Sequence, residues 1–294
     1  MTLRLHLERR AMASGFWHTD YLTNNGFRQF CRDWSPRNDS SLPVLALHGS
    51  LTQSGMWILS AEIAGSIRML CPDQRGFGLS EDPDGDSCAE FASDTLTLAE
   101  KLSLGRYVVM GHSFACSIAL EVATMAPQRV AAVVLVDPVV RSGPVAQAAS
   151  FISAPDSFAT IEAAVRHFRD TEEGKWTDPA LERFVQDIMI HEQTGRWRFP
   201  YSAARLRRLR AFAASTASDY DLFAKAKAVR HPVLIFRGGM SKRFPPTAEQ
   251  PFLKAFASKP EIVVCPNSGH FPTATEPDIV INELKRFLNE IREN

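Results

Sequence analysis

A serine framed by very small residues, in Gly111-His112-Ser113-Phe114-Ala115, stands where the apolar run Tyr107–Met110 meets a helical pattern that continues to Met125. A strand that turns sharply into a helix brings the two backbones nearly into contact, so the positions two before and two after the turn residue must be small. Gly111 and Ala115 meet that need. Such a turn presents the Ser113 hydroxyl at the C-terminal edge of a sheet. The following helix N-terminus supplies N–H donors and positive potential for an oxyanion. The chemistry this permits is attack on a carbonyl. A tight structural turn with a capping serine fits the same five residues, because the last glycine of Gly-x-Ser-x-Gly is alanine here, so the rest of the chain must decide.

An acyl-transfer serine needs a base, an orienting acid and a second oxyanion donor, each at the end of a strand. Among the eight histidines, His6, His18, His167, His191 and His231 lie at the terminus, in a helical stretch or before a strand, positions that suit surface or packing roles. His112 flanks the serine and is expected to pack beneath it. His270, in Asn267-Ser-Gly-His-Phe-Pro272, follows the last apolar run in a loop of small residues and is the candidate base. His48-Gly49-Ser50-Leu51 follows the run Val44–Leu47, and the Ser50 N–H together with the Phe114 N–H would form an oxyanion hole. Loss of one such donor typically costs about a hundred- to a thousand-fold in rate. Because these donors are main-chain, replacing Ser50 would test its side chain and not the hole.

The elements that must position these residues alternate along the chain. Val44–Leu47, Ile67–Cys71, Tyr107–Met110, Ala132–Val136, Val233–Phe236 and Glu261–Cys265 are short apolar runs expected to be parallel strands buried on both faces. Between them lie helical patterns. Ser87 with Glu90 predicts a capping box opening a helix toward Leu104, and Pro277–Ile291 predicts a closing amphipathic helix. Asn24-Asn25-Gly26 predicts a hairpin between His18 and Trp34 that adds antiparallel strands at the sheet edge. Strand and helix in alternation mean a doubly wound α/β sheet.

The alternation breaks between about residues 141 and 230, where Ile161–Arg169, Pro179–His191 and Ser202–Ala214 are the clearest helical patterns. The organisation expected is a core of residues 1–140 and 231–294, with 141–230 inserted as a helical cap over the catalytic edge. Enlarged crossover helices are the alternative. Phe151, Phe158, Phe168, Trp176, Phe184, Trp197, Phe199, Tyr201 and Phe212 are aromatics of this stretch that can face a pocket. His48, Trp57, Trp176, Trp197 and Arg198 form the candidate pocket lining. Arg196, Arg198, Arg205, Arg207, Arg208 and Arg210 make the stretch locally basic, either to meet a substrate carboxylate or as a solvated helix face.

Bulk properties narrow the partners. Thirty-three basic and thirty-three acidic side chains cancel, which argues against nucleic acid or a charged membrane surface and for a small molecule. Five scattered cysteines without a C-x-x-C pair read as reduced core thiols of a cytoplasmic protein. Residues 1–17 lack the uninterrupted apolar core of a signal peptide, and no stretch is apolar enough to span a bilayer. A homodimer is left open.

Taken together, His48-Gly49, Asp73-Gln-Arg-Gly-Phe-Gly-Leu-Ser80, Gly111–Ala115, Asp137, Pro232–Gly238 and Ser268-Gly-His-Phe271 resemble, in order and spacing, the α/β-hydrolase superfamily. The resemblance implies a mostly parallel eight-stranded sheet with the cap after strand six. It also implies a serine hydrolase of small esters, lactones or amides, with no metal or organic cofactor, and a bracing role for Asp73 and Arg75. Most members carry an aspartate shortly after the strand that here reads Val233–Phe236; this chain has Gly238-Gly-Met-Ser241. A minority place the acid one strand earlier, which implies Asp137, with Glu276 as the rival carboxylate. On that reading Asp137→Asn is expected to be far more damaging than Ser241→Ala, which should change little. Cofactor-free dioxygenases and small-molecule receptors of the same fold are the alternative functions. A serine at the turn argues against the dehalogenases and epoxide hydrolases, which need a carboxylate there.

Overall fold

The computed structural model describes residues 15–38, 42–50, 52–140, 155–172, 174–202, 204–208 and 220–293. Expectations that fall on residues 1–14, on Leu51, Phe151, Arg210 and Phe212, and on most of the 202–214 helix lie outside them.

The chain opens with the hairpin. β1 (Gly15–Asn24) and β2 (Phe27–Pro36) pair antiparallel around Asn25 and Gly26, whose φ values of 44° and 86° are the left-handed pair that a two-residue turn requires. β2 then pairs antiparallel with β4 (Met69–Pro72), and every other pairing of the large sheet is parallel: β4 with β3 (Val44–Leu47), β3 with β5 (Tyr107–His112), β5 with β6 (Val130–Val136). β10 (Val233–Gly238) and β11 (Glu261–Cys265) complete it, giving eight strands in the order β1-β2-β4-β3-β5-β6-β10-β11.

Side chains of the central strands alternate between two cores. Ala46, Met110, Val134 and Phe236 join one face with α9 (Pro277–Glu293), while Leu47, Val109, Leu135 and Ile235 join the other with α2 (Cys88–Lys101) and α3 (Ala115–Met125). Burial on both faces is why these strands read as continuous apolar runs. The α2 capping box is present, with Ser87 and Glu90 each bonding the other's backbone N–H.

Register matters most for function. Leu47 faces Gly111, His112 faces Val136, and Val136 faces Phe236, so the strands end side by side. Parallel neighbours lie about 4.8 Å apart, and loops leaving adjacent ends meet within side-chain reach.

Between β6 and β10 the described residues hold α4 (Ile161–Thr171), α5 (Asp178–Ile188) and a helical stretch at 204–208. They also hold a small antiparallel sheet absent from the helical expectation, in the order β7 (Ser157–Phe158), β9 (Trp197–Arg198), β8 (Ile190–His191). Two-residue strands are too short to show alternation in a sequence, so His191 read as the end of a helix. A further helix in this stretch, α6 (Leu222–Ala228), packs against α3: Lys225 Nζ lies 2.5 Å from Glu121, and the Ser117 hydroxyl donates to the Tyr220 carbonyl at 2.9 Å. The remainder bears on the loops at the strand ends. Gln53, after β3, donates to the carbonyls of Ile188 and Met189, Phe77 pairs with Tyr201, and Gly174 pairs with Ser268.

Candidate active site

Ser113 sits between β5 and α3 with φ 59°, a left-handed conformation that costs a non-glycine residue about 1–3 kcal/mol and persists only where its surroundings enforce it. The enforcement is visible in the packing. A Cβ on Gly111 would overlap the Ala115 carbonyl, and the Ser113 N–H donates to the Val136 carbonyl at 3.0 Å. The turn projects the hydroxyl toward the loop after β11, where His270 Nε2 lies 2.9 Å from Ser113 Oγ.

On the far side of that imidazole, His270 Nδ1 lies 2.7 Å from Asp137 Oδ2. Asp137 directly follows β6, has φ 41° and is fully buried. Its carboxylate accepts from Gly238 N–H through Oδ1 at 2.9 Å and from the Ser241 hydroxyl through Oδ2 at 2.6 Å. Burial pushes the Asp137 carboxyl up to about 6, against the opposing pull of the Ser241 and Gly238 bonds. An ionised carboxylate only accepts, so Nδ1 of His270 carries the ring proton and Nε2 is left to accept from Ser113.

His112 lies beneath this chain of bonds. Its Nε2–H donates to the His270 carbonyl at 2.8 Å and its ring stacks on Phe271 at 5.1 Å. Burial holds it well below the ordinary histidine range, so it is a neutral brace for the His270 backbone. Glu276, the rival acid, instead accepts from Asn267 N–H and the Ser268 hydroxyl at 2.9 and 2.7 Å and shapes the loop that carries His270.

The β3 turn meets the serine from the opposite side: a Cβ on Gly49 would come within 3.3 Å of Ser113 Cβ. Neither the Ser50 nor the Phe114 N–H is a donor in the turn and loop hydrogen bonds of the described residues. Asp73 braces this turn through Ser54 N–H at 2.7 Å and Leu79 N–H at 2.8 Å, and Arg75 holds Asp94 through two bonds of 2.6 and 2.9 Å.

The expected pocket lining divides. His48 and Trp57 are fully buried, and His48 is bonded to the Gly49 carbonyl and the Gln74 N–H, so both pack in the core that supports the turn. Trp176 packs 5.3 Å from Phe184 and 6.3 Å from Phe271, next to His270. Trp197 stacks on His191 at 4.6 Å. Arg198 pairs with Glu192 at 3.0 Å and lines a cavity of about 480 Å³ with Gly76, Gly78, Asp82, Phe199 and Tyr201. Two arginines of the run are occupied internally: Arg205 and Arg208 both pair with Asp82 and Asp86.

All five cysteines are buried and unbridged, and among the described residues no group of three or more His, Cys, Asp or Glu is arranged to hold a metal ion. No helix of the described residues is long and apolar enough to cross a membrane.

A family model described as the alpha/beta hydrolase family matches residues 44–283, which spans every strand end just described. The chain belongs to that family. A lipase of Mycobacterium tuberculosis, LipV, is 29% identical over 170 residues, which cover 54% of this chain and 63% of that protein's length. The crystal structure of an alpha/beta hydrolase from Novosphingobium aromaticivorans superposes with a TM-score of 0.78 at 25% identity, covering 95% of this chain and 99% of that one. A thermophilic esterase from Thermogutta terrifontis shares the fold with a TM-score of 0.67 at 22% identity, covering 93% and 99% of the two chains.

Proposed function

We propose that the protein is a serine hydrolase that cleaves a small-molecule carboxylic ester, lactone or amide through an acyl-enzyme. The observation that carries this reading is the continuous chain of hydrogen bonds from Ser113 Oγ through His270 to Asp137. Ser113 Oγ bonds to the substrate carbonyl carbon as its proton passes to His270 Nε2. Asp137 keeps the imidazole oriented and offsets the positive charge it gains. The Ser50 and Phe114 N–H groups hold the tetrahedral oxyanion. Collapse expels the leaving group, which takes the proton from Nε2, and water then cleaves the acyl-Ser113 ester with the same base.

The aromatic group Trp176, Phe184 and Phe271 beside the base favours a substrate with an apolar part. A role for the arginines in binding a substrate carboxylate loses support, since Arg198, Arg205 and Arg208 have acidic partners within the chain.

A fluorophosphonate should label the folded protein at Ser113, and Ser113→Ala should abolish both the label and turnover across a panel of esters, lactones and amides. No label on folded protein would count against acyl chemistry. Oxygen uptake with a heteroaromatic substrate would instead favour the dioxygenase, and a single slow turnover with retained product a receptor.

A further inference from the structure

At the place where most relatives were expected to keep their acid, this chain has a hydroxyl, and that hydroxyl is buried against the acid it does have. Ser241 is 4% exposed. Its Oγ accepts from the N–H groups of Arg243 at 3.2 Å and Phe244 at 3.3 Å. A hydroxyl has two lone pairs and one hydrogen. With both lone pairs engaged by backbone donors, the hydrogen is directed at Asp137 Oδ2, 2.6 Å away. The same oxygen receives His270 Nδ1–H. The turn after β10 is in turn tied down, because Gly238 N–H bonds the other carboxylate oxygen and Ser241 N–H donates to the Gly238 carbonyl.

We propose that Ser241 is a positioning residue: its hydroxyl fixes Asp137 Oδ2 against His270 Nδ1 and keeps the carboxylate in the ionised form that the base requires. In the sequence alone Ser241 stands only as the absence of an acid, and its loss is expected to change little. The bond to Asp137 removes that expectation. The argument rests on the hydrolase reading above, in which the Asp137–His270 pair serves Ser113.

Several groups face Asp137: neutral His112 from β5, His270 from the loop after β11, and Arg243 from the residues that follow Ser241, itself 3.4 Å from Glu172. The thiols of Cys116 on α3 and Cys265 on β11 feel the same carboxylate, and burial keeps both protonated. Burial raises Asp137, and the Ser241 bond opposes that rise more than any other contact. Removing the hydroxyl therefore favours a proton on the Asp137–His270 pair, whichever partner carries it. The active form has neither, so the acid limb of reactivity must move to higher pH.

The test needs no identified substrate. The rate of fluorophosphonate labelling at Ser113 is measured against pH for the wild type, Ser241→Ala, Ser241→Thr and Ser241→Cys, with Ser113→Ala as the blank. A charge-assisted bond of this kind corresponds to an upward displacement of about one to two pH units in Ser241→Ala. Ser241→Thr, which keeps the hydroxyl, should titrate like the wild type. A residue that only packs would lower the plateau rate or the melting temperature and leave the limb where it is. An unmoved limb in Ser241→Ala overturns the proposal whatever the plateau does. Should Ser241→Ala fail to fold, Ser241→Cys decides: a weaker donor of similar size gives a smaller upward displacement, and none overturns the proposal. Failure to label the wild type is a different result, since it defeats the nucleophile reading and this proposal with it.

Discussion

Asp137 Oδ2 and His270 Nδ1 lie 2.7 Å apart although 133 residues separate them, and what joins them is sheet order: β6, which ends just before Asp137, runs between β5 and β10. An asparagine at 137 would keep the shape but present a neutral amide to the imidazole. Imidazolium formed during attack would lose its counter-charge, and the ring could take the wrong tautomer. Asp137→Asn should lower kcat by about three to four orders of magnitude with KM little changed. Steady-state kinetics on any ester the protein turns over would check this, and a loss below tenfold would return the acid's role to another carboxylate.

The same carboxylate makes stability depend on pH. Burial raises Asp137 from 3.8 to about 6, so between those values the folded state holds a proton that the unfolded chain has released. Stability contributed by this group is therefore fully present below about pH 4 and declines as pH rises through 6, by about 3 kcal/mol in all. Burial raises Asp187 in the same direction, to about 6, but Asp187 is unchanged in an Asp137 variant and cancels in the comparison. Denaturant unfolding of wild type and Asp137→Asn should thus give a difference that grows in the variant's favour from pH 4 to pH 8. A constant difference would show that Asp137 is not titrating in this range.

Much of this arrangement was legible because each candidate site residue follows an apolar run. Ser113, Asp137 and His270 stand directly after or within one loop of β5, β6 and β11, and burial on both faces makes such runs conspicuous. The hairpin was legible in Asn25-Gly26 and the capping box in Ser87 and Glu90. What sequence could not show was polar contact across long separations. Ser241 meets Asp137 over 104 residues, and a hydrogen bond leaves no periodicity to read. His48 and Trp57 are alike in this: their complete burial beside the turn after β3 leaves no mark in the sequence. The arginine run stayed open between its two readings because the acidic partners of Arg205 and Arg208, Asp82 and Asp86, lie more than a hundred residues earlier.

Gly238 supplies a second test of the surroundings of Asp137. A Cβ there would overlap the Gly269 carbonyl, one residue before His270, while Gly105 has nothing within 4 Å of its own added Cβ. Gly238→Ala should displace the His270 loop, lose about 1–3 kcal/mol of stability and slow Ser113 labelling. Gly105→Ala should be neutral or stabilise by up to about 1 kcal/mol, since it only restricts the unfolded chain. Thermal melts of the two variants, with labelling rates alongside, separate a local clash from a general intolerance of alanine.

Arg205 ties the segment between β6 and β10 to the loop after β4. It is 1% exposed, donates to Asp82 Oδ1 through Nε at 3.1 Å and Nη2 at 2.6 Å, and also pairs with Asp86. Its guanidinium lies 5.5 Å from the Phe77 ring and 5.9 Å from Phe91, and those rings pack against Phe114, 6.2 and 5.7 Å away. Arg205→Ala would empty a buried space beside Phe77 and leave Arg208 as the remaining cation on both carboxylates. Asp82 and Asp86 keep some access to solvent, so the loss should fall short of that for a wholly buried pair, at about 2–3 kcal/mol. Looser packing of Phe114 should also shift its N–H and lower kcat more than it raises KM. Arg205→Lys should recover only part of both, because an ammonium cannot reach the two carboxylates with the planar fork that Arg205 uses. Denaturation midpoints and kinetics of the two variants would check this; an Arg205→Ala protein that melts and turns over like the wild type would sink the idea that this residue fastens the segment to the core.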